Sequence, residues 1–477
     1  MQTEQKIFKN TVILSAGKGF GDLCSFVFIA YFGRIFGAEI LGKYSFAMSL
    51  GGLLTILASF GFNTLLIREV SKNEHKSATY VGNLLLMRGG LSLLIWGLII
   101  IGSLKSNLPD DTKMILIFFS GYHIFYRLTG LLRASFKAHD QMHYSGILEF
   151  YHKIVILLLG TTSILIFYSP TIALSSYPIA SISMFIIALV IYKTNHGFPE
   201  FTVNYSFIKD SIRKAFPFFV IIVIGQFYDR IGIIFLTFLK GEHSTGIFWS
   251  SDRLLVTLYA GMNIFSGVLF PYMAKLSTDT TDQLYQLCQR ALRFLFVVLL
   301  SVSIVIYIFS DQIILTIFGE KFSSSEQVLK LLIWSYLLMG LNQIISILMI
   351  VTYKEKILMQ MRAIAYFGYC GVSLFFIWKF DYIGLAFAKI LIEGILFLVI
   401  LFYAFPFSEM GKLVRNFLAP LSSSLVCLIL FHILDDFNAF ITIPFVFGLY
   451  IALLFLLKGV FVHDFKFMGE IIFGKRE

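Results

Sequence analysis

Uninterrupted apolar runs close to membrane-spanning length, separated by short polar links, limit what this chain can fold into more than any other feature. An α-helix needs roughly 20 apolar residues to cross the hydrocarbon layer. A membrane barrel would show segments of about 10 residues alternating apolar and polar, and these runs do not alternate. Fourteen helical spans are expected, at 10–33, 42–64, 82–103, 114–134, 146–168, 171–192, 215–239, 246–272, 292–315, 327–350, 359–379, 382–405, 416–434 and 441–458. Only 14% of the 477 residues are charged and 58% are hydrophobic, against about 25% charged in a soluble chain. The chain is therefore expected to be an all-α integral membrane protein. Its first run is too long for the apolar region of a signal peptide and no A-x-A site follows it, so a retained first helix is expected.

A net charge of +10 raises the question of nucleic acid, but there is no basic arm and the charges run along the whole chain. They read as topology signals instead. With the N-terminus inside, the inner links and tails collect 23 Lys and Arg and the outer links 8. Cytoplasmic loops carry the excess, so both termini are expected in the cytoplasm.

The longest polar link, Lys193 to Lys214, follows the sixth span. An even number of spans before it means that two bundles start from the same side, a parallel repeat about an axis along the membrane normal. The chain supports this with a repeated stretch. Asn10 to Lys72 contains the link Gly33-Arg34-Ile35-Phe36-Gly37-Ala38-Glu39-Ile40-Leu41-Gly42-Lys43-Tyr44. A weaker copy, Phe216 to Leu276, contains Gly241-Glu242-His243-Ser244-Thr245-Gly246-Ile247-Phe248. The expected organisation is a six-helix lobe at 1–195, a cytoplasmic linker at 196–212, a second six-helix lobe at 213–405 related to the first by a pseudo-two-fold axis, and two extra helices with a cytoplasmic tail at 406–477. Pro217 is expected just inside a helix start, where its missing N–H matters least.

Ionisable residues at membrane depth carry the functional signal. The basic set is Lys18, Arg88, Arg127, Lys153, Arg230, Arg253 and Lys389; the acidic set is Asp22, Glu149, Asp229, Asp252 and Glu393. Each costs about 2.5–3.5 kcal/mol at a helix centre on insertion scales, so most must meet partners or water. Lys18 with Asp22, Glu149 with Lys153, and Lys389 with Glu393 are spaced i,i+4 and are expected to pair along one helix face. Arg88 and Arg127 have no carboxylate within a turn. One reading makes all of these structural pairs and snorkelling side chains. The other makes them a water-filled cavity with a cationic lining for a phosphate or diphosphate, which Arg grips as a planar fork and Lys as a point charge. The acids would then carry a coupling proton or sodium ion, or hold the basic groups in place.

No catalytic constellation emerges. Cys24, Cys288, Cys370 and Cys427 are isolated, so neither a disulfide framework nor a metal site is indicated. His139 and His143 flank Asp140 but lack a convincing third ligand, and no G-x-x-x-x-G-K-[ST] phosphate loop is present. No cofactor is implied, and the chain is not expected to be an enzyme.

Several stretches resemble the polysaccharide transporter family of the multidrug/oligosaccharidyl-lipid/polysaccharide (MOP) exporter superfamily. They are Arg34-Ile35-Phe36-Gly37 with Gly42-Lys43-Tyr44, Ser59-Phe60-Gly61-Phe62 through Ile67-Arg68-Glu69-Val70, and Arg133-Ala134-Ser135-Phe136-Lys137-Ala138. Further along they are Phe216-Pro217, Tyr228-Asp229-Arg230, Gly246-Ile247-Phe248, Leu269-Phe270-Pro271 and Phe318-Gly319-Glu320-Lys321-Phe322. The resemblance implies a V-shaped pair of lobes in the bacterial inner membrane. It implies alternating access that flips an undecaprenyl-diphosphate-linked O-antigen or capsule repeat unit to the periplasmic leaflet, with glycan polymerases as possible partners. Relatives that flip the peptidoglycan precursor carry arginines in the first helix; this chain has Lys18 there, which weakens that substrate. A cation-coupled drug exporter of the same superfamily, with Asp22 and Asp229 as coupling acids, is the second reading. A membrane glycan polymerase or ligase is the third, though the outer links are short for one.

Overall fold

The computed structural model describes residues 2–202, 204–276 and 281–406, with scattered positions between 409 and 454. Among the described residues all regular structure is helical. In chain order the helices are α1 (Gln2–Phe36), α2 (Ala38–Ser59), α3 (Phe62–Val70), α4 (Ser77–Lys105), α5 (Asp110–Ala138), α6 (Met142–Phe167), α7 (Pro170–Leu174), α8 (Ser176–His196), α9 (Tyr205–Leu276), α10 (Thr281–Ile317), α11 (Ser325–Val351) and α12 (Glu355–Ala404).

Ten of these segments, counting α2 with α3 and α7 with α8, are long and apolar enough to cross a membrane. Two are broken inside. α9 loses helical geometry at Gly241 and α12 at Asp381, in the short links expected between the seventh and eighth and the eleventh and twelfth spans. With those breaks, each of the first twelve expected spans has its helix. The last two, 416–434 and 441–458, lie mostly outside the described residues. One local expectation fails. α9 begins at Tyr205, so Pro217 lies inside the helix rather than at its start.

Large apolar side chains cover the outside. Leu93, Leu94 and Leu98 are each 60% exposed, and Leu165 and Ile364 are 75% exposed. A soluble protein would not present so much contiguous apolar surface; acyl chains are its natural solvent. Helix contacts then gain little from the hydrophobic effect and depend on close approach by small residues. α1 and α6 show this at Gly17, where an added Cβ would lie 2.7 Å from the Gly146 carbonyl oxygen.

The chain divides into two compact units. The first comprises Met1–Thr257 with Ile317–Phe322 and Ile377–Tyr382. Its core gathers Phe62, Leu65 and Leu66 of α3, Leu84 of α4, Leu131 and Phe136 of α5, and Met184 of α8, all buried. Between α2 and α3, Phe60 and Gly61 adopt left-handed backbone angles, and the Phe60 ring stacks on Phe219 at 4.4 Å. The second unit comprises Leu258–Thr316, Ser323–Phe376 and Ile383–Glu477. Its core is built from Cys288, Leu292 and Leu300 of α10, Leu341, Ile344 and Leu348 of α11, and Ile400 of α12.

Candidate functional site

Two groups of charges lie inside the first unit. One is a chain of alternating sign between α1, α5 and α6. Lys153 of α6 bonds Asp22 of α1 and lies 3.5 Å from Glu149 one turn back. Glu149 also pairs with Arg133 of α5 and accepts a hydrogen bond from the Tyr126 hydroxyl at 3.1 Å. The expected Glu149–Lys153 pair is thus present. The expected Lys18–Asp22 pair is not. Asp22 is taken by Lys153, while Lys18 is exposed and makes no hydrogen bond or ion pair among the described residues. Two causes agree. A basic residue preceding an acid at i,i+4 is the weaker orientation, and Lys153 passes over Gly21, whose missing side chain lets the alkyl stem lie against α1.

The other group is a set of arginines around the second half of α2. Arg127 of α5 donates from Nε to Thr55 Oγ1 (3.1 Å), from Nη1 to Ser59 Oγ (2.8 Å) and from Nη2 to the Gly52 carbonyl (2.8 Å). Arg230 of α9 reaches the same glycine, where an added Cβ would sit 2.7 Å from its Cζ. It donates to the Met48 carbonyl (2.6 Å) and to Gln226 Oε1 (3.1 Å). Arg88 of α4, only 1% exposed, donates to Asn63 Oδ1, the Arg127 carbonyl and the Ser59 carbonyl at 2.7–2.9 Å. Every one of these partners is a neutral oxygen, and neither Arg88 nor Arg127 forms an ion pair among the described residues. The charges of Arg88 and Arg127 are oriented without being cancelled, while Arg230 has the Asp229 carboxylate as a charge neighbour.

The structure separates these arginines by role. Ser59 is the last residue of α2, so its carbonyl has no helical partner beyond the break. A cation there satisfies the oxygen and the negative end of the helix dipole. Arg88 does this while fully enclosed, which makes it part of the scaffold of the α2–α3 break. Arg127 and Arg230 are half-buried. Half-buried Arg253, also on α9, donates to Ser25 Oγ of α1 (3.0 Å), and its Nε is buried with no partner. Of the acids, Asp229 is exposed and Asp252 is buried.

Lys389 and Glu393 lie in the second unit, 8% and 2% exposed. Lys389 sits over the Tyr336 ring at 5.6 Å, and Glu393 accepts from the Asn342 amide at 2.8 Å. Two further basic residues are not marked as buried partners by the sequence. Arg133, expected as a topology charge, anchors Glu149. Lys43, expected as a link residue, is 6% exposed and bonds Asp111 at 2.5 Å and Glu39 at 3.0 Å. The i,i+4 spacing of Glu39 and Lys43 is a local signal for one of these contacts; the bonds to Asp111 and Glu149 have none, because each reaches a carboxylate on another helix.

Long helices with apolar outer surfaces around a cluster of arginines define a multi-pass membrane protein, and solved structures share the fold. The Lipid II flippase MurJ, in an inward closed conformation, matches with a TM-score of 0.77 and 16% identity over 95% of this chain and 100% of that chain. An inward-facing multidrug resistance MATE family transporter of the MOP superfamily matches at 0.60 and 12% identity, covering 83% and 96% of the two chains. The Vibrio cholerae MATE transporter VcmN matches at 0.57 and 17% identity over the same shares. The chain belongs to the polysaccharide biosynthesis protein family, whose profile matches residues 7–277. No curated protein sequence matches it.

Proposed function

We propose that this protein is a flippase for undecaprenyl-diphosphate-linked oligosaccharide repeat units, of O-antigen or capsule type, moving them from the cytoplasmic to the periplasmic leaflet of the bacterial inner membrane by alternating access. The observation that carries this reading is the convergence of Arg127 and Arg230 on Gly52, each held by neutral oxygens. A guanidinium oriented in this way keeps its charge and part of its planar fork for the oxygens of an oxyanion. A diphosphate would supply the missing counter-charge, while its polyprenyl tail remains in lipid. Arg253, with an unused buried donor, extends the same chemistry. Both termini lie in the cytoplasm in this scheme. A proton or sodium ion is the coupling ion, and glycan polymerases are the downstream partners. No step of this scheme needs a cofactor, nucleic acid or bond-making chemistry.

The test is export of repeat units in cells that depend on this chain. Arg127→Ala and Arg253→Ala each abolish surface polysaccharide while the protein remains in the membrane at normal levels. Full polysaccharide in both variants overturns the cationic site. The drug-exporter reading requires resistance to cationic dyes on overexpression, and the flippase reading expects none.

A further inference from the structure

The second unit contains a cavity of about 230 Å³ lined by its own parts of α9, α11 and α12, with Tyr259, Asn263, Asn342, Gln343, Arg362 and Glu393 supplying its polar wall. Its size falls below the roughly 300–1,000 Å³ of pockets for drug-sized ligands, and it could hold several waters at about 30 Å³ each. Three of its polar groups form a hydrogen-bonded chain. Tyr259 donates to Gln343 Oε1 (2.8 Å), and Gln343 donates to Asn263 Oδ1 (3.2 Å). Separately, Asn342 donates to Glu393 Oε2 (2.8 Å), and Arg362 donates to Ser346 Oγ (2.8 Å).

Two buried atoms in this wall have no partner, Asn342 Oδ1 and Arg362 Nε. Asn342 itself is 3% exposed. A buried acceptor and a buried donor left open are costly unless a ligand or water fills them. The ligand they call for must donate one hydrogen bond and accept another, which a hydroxyl group does. The rest of the wall narrows the class. Three carboxamides, a guanidinium and a carboxylate are planar groups able to engage adjacent hydroxyls in pairs. The rings of Tyr259 and Tyr366 and the apolar Leu396 offer surface to C–H faces. A metal cation prefers a cage of oxygens and would be opposed by Arg362. A phosphate would be opposed by Glu393.

We infer that this cavity binds one sugar ring of the transported glycan, separately from recognition of the diphosphate. The inference rests on the flippase reading and adds to it a place where the glycan itself is read.

The experiment uses the full chain in lipid nanodiscs. It is titrated with undecaprenyl diphosphate and with the same lipid bearing one glucose, galactose, N-acetylglucosamine, N-acetylgalactosamine or rhamnose. At least one glycosylated lipid binds about tenfold more tightly than the bare lipid, the gain expected of one or two added net hydrogen bonds. In the Asn263→Ala/Gln343→Ala variant that preference falls to parity while bare-lipid affinity stays at the wild-type value, which also shows that the variant is folded. If the double variant loses bare-lipid binding, Gln343→Glu replaces it, keeping the acceptor for Tyr259 and removing the donor to Asn263. No preference in the wild type, or a preference that survives in the folded variant, overturns the inference. Arg127→Ala weakens bare and glycosylated lipids alike. If it leaves both unchanged, the diphosphate site is wrong, and the sugar preference still reports on the cavity.

Discussion

Gly42 and Gly246 occupy equivalent places in two copies of one motif and make equivalent contacts. A Cβ on Gly42 would run into the Glu242 carbonyl oxygen, and a Cβ on Gly246 into the Ala38 carbonyl oxygen. Each glycine follows a link glycine by five positions, and each meets the residue just after the opposite link glycine. The link glycines match as well, Gly37 at φ 85, ψ −179 and Gly241 at φ 84, ψ 178. That region of backbone space is open essentially to glycine alone. A motif meeting its own copy across a pseudo-two-fold axis produces this exchange of contacts.

Gly42→Ala and Gly246→Ala are each expected to destabilise the protein by about 1–3 kcal/mol, because the added methyl meets backbone that cannot rotate away. Gly225→Ala is the control, since a Cβ there meets nothing within 4 Å. Thermal unfolding of the detergent-solubilised chain should show both link variants melting lower and the control unchanged.

Arg88 closes the carbonyl end of α2. Arg88→Met should lower stability by about 1–3 kcal/mol by leaving the Ser59 carbonyl unsatisfied. Arg88→Lys should recover little, since one ammonium cannot span Asn63, Ser59 and Arg127 as the fork does. Recovery of the wild-type melting temperature by lysine would show that charge alone suffices.

The charge chain through Glu149 predicts a compensating pair. Arg133→Met or Glu149→Gln alone leaves a buried charge poorly matched, a defect of about 3–5 kcal/mol in buried pairs. The double variant should lie closer to wild type than either single one, because the Asp22–Lys153 pair remains balanced. Additive losses in the double variant would rule out this coupling.

Lys18 and Asp22 should separate by phenotype. Asp22→Asn removes one of the two carboxylate partners of Lys153 and should lower the melting temperature. Lys18→Ala breaks no bond among the described residues, so stability should hold while repeat-unit export falls. Normal export in Lys18→Ala would remove Lys18 from the substrate path.

Much of the architecture is legible in the chain itself. Run length and the absence of alternation identify helices, and the glycines of both links mark real breaks, at Gly37 and Gly241. The repeat is visible because a tight backbone crossing tolerates few residue types. The break at Asp381 is legible from polarity alone. The entry of Pro217 into the body of α9 is not, since a proline signals a helix start only as a tendency.

The candidate site is legible as a set of residues and not as an arrangement. Spacing along one helix predicts the Glu149–Lys153 pair because both side chains rise from the same face. It predicts a Lys18–Asp22 pair on the same grounds, and there a lysine from α6 takes the carboxylate. Nor can spacing distinguish Arg88, which caps a helix end, from Arg127, which reaches the same residue, Ser59, through its hydroxyl. What the sequence determined by itself was the class: hydropathy and local backbone chemistry act over a few residues, and a membrane makes their demands strict. Which charge meets which was decided only by tertiary structure, because ion pairs and hydrogen bonds are contacts of a few ångströms between side chains that can lie far apart along the chain.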